Sequence, residues 1–169
     1  MSYPLHRDLI KKYITDNFPL DTRIVDVGAG DGTYRDLLPD YKMDAIEIFQ
    51  PYCEQYKLAE RYNKLFVENA KSFKFYRLYR LIIMGDVLQT MIVEHAHKIL
   101  TQVTKNNSTA IIQVPYLYEQ GVCNDNVYEE HLQPDLTDEV FMERYSIFAP
   151  MLLVKDDVCG VYIINPPQY

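Results

Sequence analysis

Tryptophan is absent from this 169-residue chain, and cysteine is scarce. Cys53, Cys123 and Cys159 are an odd number at unrelated spacings. That argues against a disulfide framework or a CxxC metal site and points to free thiols in a reducing compartment. No apolar run approaches the ~20 residues that cross a bilayer. Met1 to Asp8 lack the apolar core of a signal peptide. A cytoplasmic location with no membrane partner is therefore expected. A basic excess is missing too. The net charge of −7 disfavours an extended nucleic-acid footprint. The one basic, aromatic-interleaved stretch, Lys71–Arg80, reads as a connection between strands. Internal repeats and low-complexity segments are also lacking. Tyrosine, by contrast, is abundant and suits core or half-buried positions with a wet hydroxyl. The length fits one domain over residues 1–169.

The chain is organised around Arg23–Leu38. Behind the apolar Ile24, Val25 and Val27 come Gly28, Gly30 and Gly32 at alternate positions, and Leu37 and Leu38 then begin a helix. This is the strand–glycine loop–helix entrance of a nucleotide-type pocket. A phosphate-binding P-loop closes with Lys-Ser/Thr, whereas Thr33-Tyr34-Arg35 follows here. A dinucleotide fingerprint places glycine or alanine where Thr33 stands. The pattern is instead Asp26-x-Gly28-x-Gly30-x-Gly32. About 20 residues after Asp26, Glu47 closes the strand-like run Met43–Ile48, where an acid is the expected partner of ribose hydroxyls.

The remaining elements alternate. Pro4–Phe18, within a leading segment 1–20, has the apolar spacing of an amphipathic helix, with Pro4 in its first turn. Strands are expected at Arg23–Val27, Lys64–Val67, Arg80–Gly85 and Thr109–Val114. Helices are expected at Thr33–Leu38, Gln50–Tyr62, Val87–Val103 and Asp135–Tyr145. Ser146–Lys155 and Val158–Asn165 read as an antiparallel hairpin. Asp86, at the end of a strand, also suits an N-cap of the following helix.

Asp26–Gly32 resembles motif I of class I S-adenosylmethionine (SAM)-dependent methyltransferases, and Gly85-Asp86-Val87-Leu88 is similar to their motif IV. The resemblance implies an α/β fold. Its seven-stranded, mostly parallel sheet has the order 3-2-1-4-5-7-6, with strand seven antiparallel and helices on both faces. It implies SAM as cofactor and methyl transfer as the activity. Asp26 suits the cofactor's ammonium end, while Gly28, Ala29, Gly30 and Gly32 would admit its methionine and ribose. Glu47 and Ile48 would meet the ribose, and Asn69 or Glu68 the adenine. Gly85 and Asp86 would bound the reacting end. Relatives often continue Glu-His after this motif, where Gln89-Thr90 stands here. No metal is implied.

Tyr116–Pro134 is the longest irregular stretch and leaves the carboxyl end of a strand, where open α/β sheets place ligands. It reads as a substrate lid, in which His131 and Glu129 are candidates, with Asp86, for handling protons and substrate. The acceptor would be a small molecule, a sugar or a protein side chain. His95 and His97, two apart, face different directions on a helix and do not form a metal pair. Asn165-Pro166-Pro167-Gln168-Tyr169 echoes the base-binding motif of adenine amino-methyltransferases, but it follows the last strand and reads as a tail. Three other readings remain open: aminopropyl transfer, a nucleotide-dependent oxidoreductase, and a SAM-binding partner without catalysis.

Overall fold

A computed structural model describes residues 6–75 and 78–167. Pro4 at the first helical turn, Tyr76-Arg77 of the basic stretch and the terminal Gln168-Tyr169 lie outside the described residues. Seven strands form one sheet: β1 Arg23–Val27, β2 Lys42–Ile46, β3 Lys64–Phe66, β4 Leu81–Gly85, β5 Thr109–Pro115, β6 Met151–Lys155 and β7 Cys159–Ile164. Their order is β3-β2-β1-β4-β5-β7-β6, with β7 antiparallel to both neighbours. Six helices accompany them: α1 Arg7–Asn17, α2 Thr33–Leu37, α3 Gln50–Gln55, α4 Leu58–Arg61, α5 Val93–Lys105 and α6 Asp138–Arg144. This is the α/β sheet that the alternation implied.

The period of two in each strand divides the core. In β4, Ile82 and Met84 pack with Ile99, Leu100 and Val103 of α5, whereas Leu81 and Ile83 pack with Ile10 and Ile14 of α1. β4 is wholly buried because helices cover both faces, which explains its unbroken apolar run. Burying each such side chain contributes roughly 1.5–3 kcal/mol. Among the described residues, no helix is long and apolar enough to cross a membrane.

Most boundaries shift by one to three residues from the sequence reading, and three larger differences have a tertiary cause. The helix expected over Val87–Val103 starts only at Val93, after a 3-10 turn at Leu88–Thr90. Its missing first turns are explained by captured carbonyls. Leu132 N and Gln133 N both donate to Gln89 O, while Gln133 Nε2 donates to Leu88 O and Met91 O. A helix would need those oxygens for its own N–H groups. The helix expected over Gln50–Tyr62 breaks at Lys57, whose φ is +51°. The break lets Leu58 enter the core and carries Arg61 to the glycine loop. The hairpin's first strand starts at Met151, because Ser146–Phe148 is a 3-10 turn that seats Phe148 edge-on against His97, with centroids 5.2 Å apart. β2 ends at Ile46, one residue short of Glu47.

Candidate functional site

The loops after β1, β2, β3 and β4 meet the 116–134 stretch around a cavity of about 610 Å³. It opens at the carboxyl ends of the parallel strands, the ligand side of such sheets. The turn after β1 is tied to β2, since Gly28 N and Ala29 N both donate to Ile46 O. Gly30, at φ +52°, presents bare backbone to the cavity. A Cβ there would meet only Gly28 O, at 3.8 Å, so the left-handed conformation rather than protein packing demands glycine.

Gly32 has a different reason to be glycine. It lies outside the cavity wall, and a Cβ there would come within 2.5 Å of the Arg61 guanidinium. Arg61 donates to Asp31 O at 2.7 Å, to Gly32 O at 3.0 Å and to the Asp36 carboxylate at 2.8 Å. The missing side chain at Gly32 leaves room for Arg61, which clamps the loop from behind. No local sequence signal pointed to Arg61, thirty residues downstream of Asp31.

The two acids separate as well. Glu47 lines the cavity at 5 % exposure. Its Oε2 accepts from Gly30 N at 2.9 Å and its Oε1 from Phe49 N at 2.8 Å. Burial pushes its pKa up, and these backbone donors pull it back. Asp26, only 1 % exposed, sits beneath the loop instead of in the wall. Its Oδ2 accepts from Tyr62 Oη at 2.6 Å. Burial pushes it up to about 7; the Tyr62 hydrogen bond opposes this, while nearby Glu47 and Asp31 add to it. Asp26 thus braces the loop from below as a buried strut bonded to Tyr62. The alternation of β1 carries the cause. Val25 and Val27 face the α5 side, so Asp26 shares the opposite face with Ile24.

Ile48, Asn69, Glu68, Gly85 and Asp86 all reach the cavity wall. Asn69 Oδ1 accepts from Lys71 N at 3.0 Å, which shapes the turn after β3. Asp86 adopts φ +54°, and its N–H donates to Gln113 O of β5 at 3.0 Å. It is not an N-cap: Val87 precedes the 3-10 turn and Ile92 precedes α5. The left-handed backbone instead marks a sharp exit from β4 at the cavity edge.

The irregular stretch forms the outer wall and is tied at several points. His131 N donates to Gln120 O, and Gln120 Nε2 to Glu129 O, each across the loop. His131 Nδ1 lies 2.8 Å from Tyr118 O. A carbonyl can only accept, so Nδ1 carries the proton and Nε2 keeps a lone pair. That lone pair faces the Gln89 amide nitrogen at 3.4 Å. Burial lowers the His131 pKa below the usual histidine value, against the pull of the Tyr118 carbonyl and the Glu129 charge. Gln89 is 1 % exposed, and its Oε1 makes no hydrogen bond. Glu129 is placed apart from His131, with Oε1 accepting from Tyr52 Oη at 2.6 Å. The structure thus puts Glu129 on the Glu47 side of the cavity and His131 on the Gln89 side. Tyr52, Tyr118 and Gln120 complete the wall, and the sequence reading assigned them no role.

No family model matches the chain, and no curated protein matches it by sequence. Solved structures do match it. A SAM-dependent methyltransferase from Clostridium acetobutylicum ATCC 824 superposes with a TM-score of 0.70 at 13 % identity, over 99 % of this chain and 93 % of its own. The PH0226 protein from Pyrococcus horikoshii OT3 gives 0.71 at 12 %, over 96 % and 88 %. The 1,6-didemethyltoxoflavin-N1-methyltransferase of Burkholderia thailandensis, solved with its substrate and S-adenosylhomocysteine, gives 0.69 at 12 %, over 97 % and 78 %.

The chain has the class I methyltransferase fold. Within that fold the described cavity lies at the switch between β1 and β4, where strand order reverses. The crevice carries Gly28–Asp31 on one side and Glu47 on the next strand end. Its outer wall is the loop that contains His131.

Proposed function

We propose that this protein transfers the methyl group of SAM to a polar acceptor held under the 116–134 lid. The observation that carries the reading is Glu47. A buried carboxylate at the cavity edge is oriented by two backbone N–H groups, with a lone pair left on each oxygen. Two hydroxyls of one ribose match that acceptor pair. The bare backbone at Gly30 and the acids Asp31, Glu68 and Asp86 in the wall suit a ligand with an ammonium and a sulfonium. When bound, SAM supplies an electrophilic methyl group on a positively charged sulfur that departs as a neutral thioether.

The chain's own part is alignment and proton removal. Glu47 and Ile48 hold the ribose side, and Asp86 bounds the opposite end. His131 is the base: Tyr118 O fixes its tautomer, and its Nε2 takes the acceptor's proton. The buried Gln89 Oε1 calls for a hydrogen-bond donor in the cavity, which supports an acceptor bearing O–H or N–H groups. Tyr118, Tyr128, Gln120 and Asn124 in the outer wall suit a small neutral or cationic compound such as a sugar. Calorimetric binding of SAM and S-adenosylhomocysteine by the purified chain is the first test, and absence of both would end this reading. Methylated product from a panel of sugars and amines is the second.

A second reading, SAM binding without turnover, is favoured by one contact. The amide of Gln89 already faces the only lone pair of the His131 ring. Tight SAM binding with no product across the panel would select it.

A further inference from the structure

Outside the cavity wall, His6, Asp156 and Cys159 bring an imidazole nitrogen, a carboxylate oxygen and a thiol sulfur within 4.8 Å of one another. They come from opposite ends of the chain. His6 is the residue before α1, held at φ +66°, and Asp156 and Cys159 bracket the turn between β6 and β7. The Asp156 carboxylate is pre-oriented. Its Oδ1 accepts from Val158 N at 2.8 Å and from Cys159 N at 2.9 Å, which leaves Oδ2 directed at His6. His6 Nε2, sealed from solvent, lies 3.1 Å from that oxygen and pairs with it. For ligand bonds near 2.0 Å, two ligands of a tetrahedral zinc ion stand about 3.3 Å apart. The His6–Asp156 separation thus matches a shared metal edge.

We propose that His6, Asp156 and Cys159 bind one zinc-like divalent cation. The donor set mixes nitrogen, oxygen and sulfur, the preference of borderline cations rather than of magnesium or calcium. Two formal negative charges from the ligands balance the ion. As the metal–sulfur bond forms, the thiol S–H breaks and its proton leaves to buffer. The fourth position stays open to water. The backbone N–H bonds to Asp156 Oδ1 act as the outer shell that orients a ligating carboxylate. The ion would pin the start of α1 to the β6–β7 turn. Cys159 pairs in register with Pro115, which lines the cavity, so this clasp sits one strand from the crevice without entering it.

The test uses the full chain, stripped with a chelator and titrated with Zn²⁺ against a chromophoric competitor, then with Co²⁺ to read a thiolate-to-cobalt charge-transfer band. The expected result is one ion per chain, the cobalt band, and a higher melting temperature with Zn²⁺ but not with Mg²⁺. Cys159→Ser should abolish the band. His6→Ala should weaken Zn²⁺ binding by at least about tenfold. Because Cys159 is buried, His6→Ala decides if Cys159→Ser fails to fold. Failure of the stripped chain to take up one Zn²⁺ in competition with the chromophore would overturn the site. So would binding that survives His6→Ala, or a cobalt band lost on replacing Cys53 or Cys123 instead. SAM affinity, measured separately, bears on the crevice and not on this site.

Discussion

Gly30 N donates to Glu47 Oε2 at 2.9 Å, so the glycine loop and the end of β2 form one hydrogen-bonded rim. The residue that would grip the ribose also holds the backbone on which the ribose would lie. Glu47→Ala should therefore weaken SAM binding by roughly 10–100-fold, the loss expected for hydrogen bonds to a charged group. Glu47→Gln should be milder, because one oxygen is kept. Isothermal calorimetry on both variants checks this; unchanged affinity in Glu47→Ala would remove Glu47 from the site.

Asp26 makes stability fall with pH. Its folded pKa of about 7 lies above the ordinary 3.8. Between those values the unfolded chain has released the proton and the folded chain has kept it. Stability is therefore full below about pH 4, declines as pH rises, and levels off above about 7. The slope from this group is at most roughly 1.4 kcal/mol per pH unit. Urea melts of wild type and Asp26→Asn at several pH values read the difference. The variant should gain on wild type as pH rises through that window.

His131→Asn should leave SAM affinity unchanged and lower turnover by about 10²–10⁴, once the acceptor panel has yielded a substrate. Because burial lowers the His131 pKa, the wild-type rate should rise with pH at values below 6.5 and be flat at neutrality. A rate profile that rises only above pH 7 would contradict His131 as the base.

Gln133→Ala tests the link between lid and sheet. The side chain is 3 % exposed and bonds Leu88 O, Met91 O, Tyr145 Oη and Arg144. Removing it should cost about 1–3 kcal/mol for each buried group left unpaired, a clear drop in melting temperature. Hydrogen exchange should speed up across Leu132 and Gln133, whose N–H groups bond Gln89 O.

What the sequence made legible was local or periodic. The alternation of strands and helices survives in the structure, and Gly28, Gly30 and Glu47 meet at one cavity. The errors arose where a distant residue overrode local preference. Val87–Ile92 has the composition to join α5, but Gln133 takes its carbonyls from the far side of β5. Gly32 looked like part of a ligand loop because its packing partner, Arg61, is on another helix. The burial of Asp26 beneath the loop was legible, since the two valines flanking it already assign its side chain to the other face of the strand. Glu129 and His131, two residues apart in the loop, take different side-chain partners, Tyr52 for the first and Tyr118 O and Gln89 for the second.

The capture of the Leu88, Gln89 and Met91 carbonyls by the lid constrains redesign of this scaffold. A loop transplanted from another protein of this fold would have to supply its own donors to those oxygens. Without them, the segment following Asp86 would be free to wind into additional helix and carry the crevice edge with it. Loop exchange should therefore preserve Leu132 and Gln133 as a graft boundary and place new sequence between Leu117 and His131.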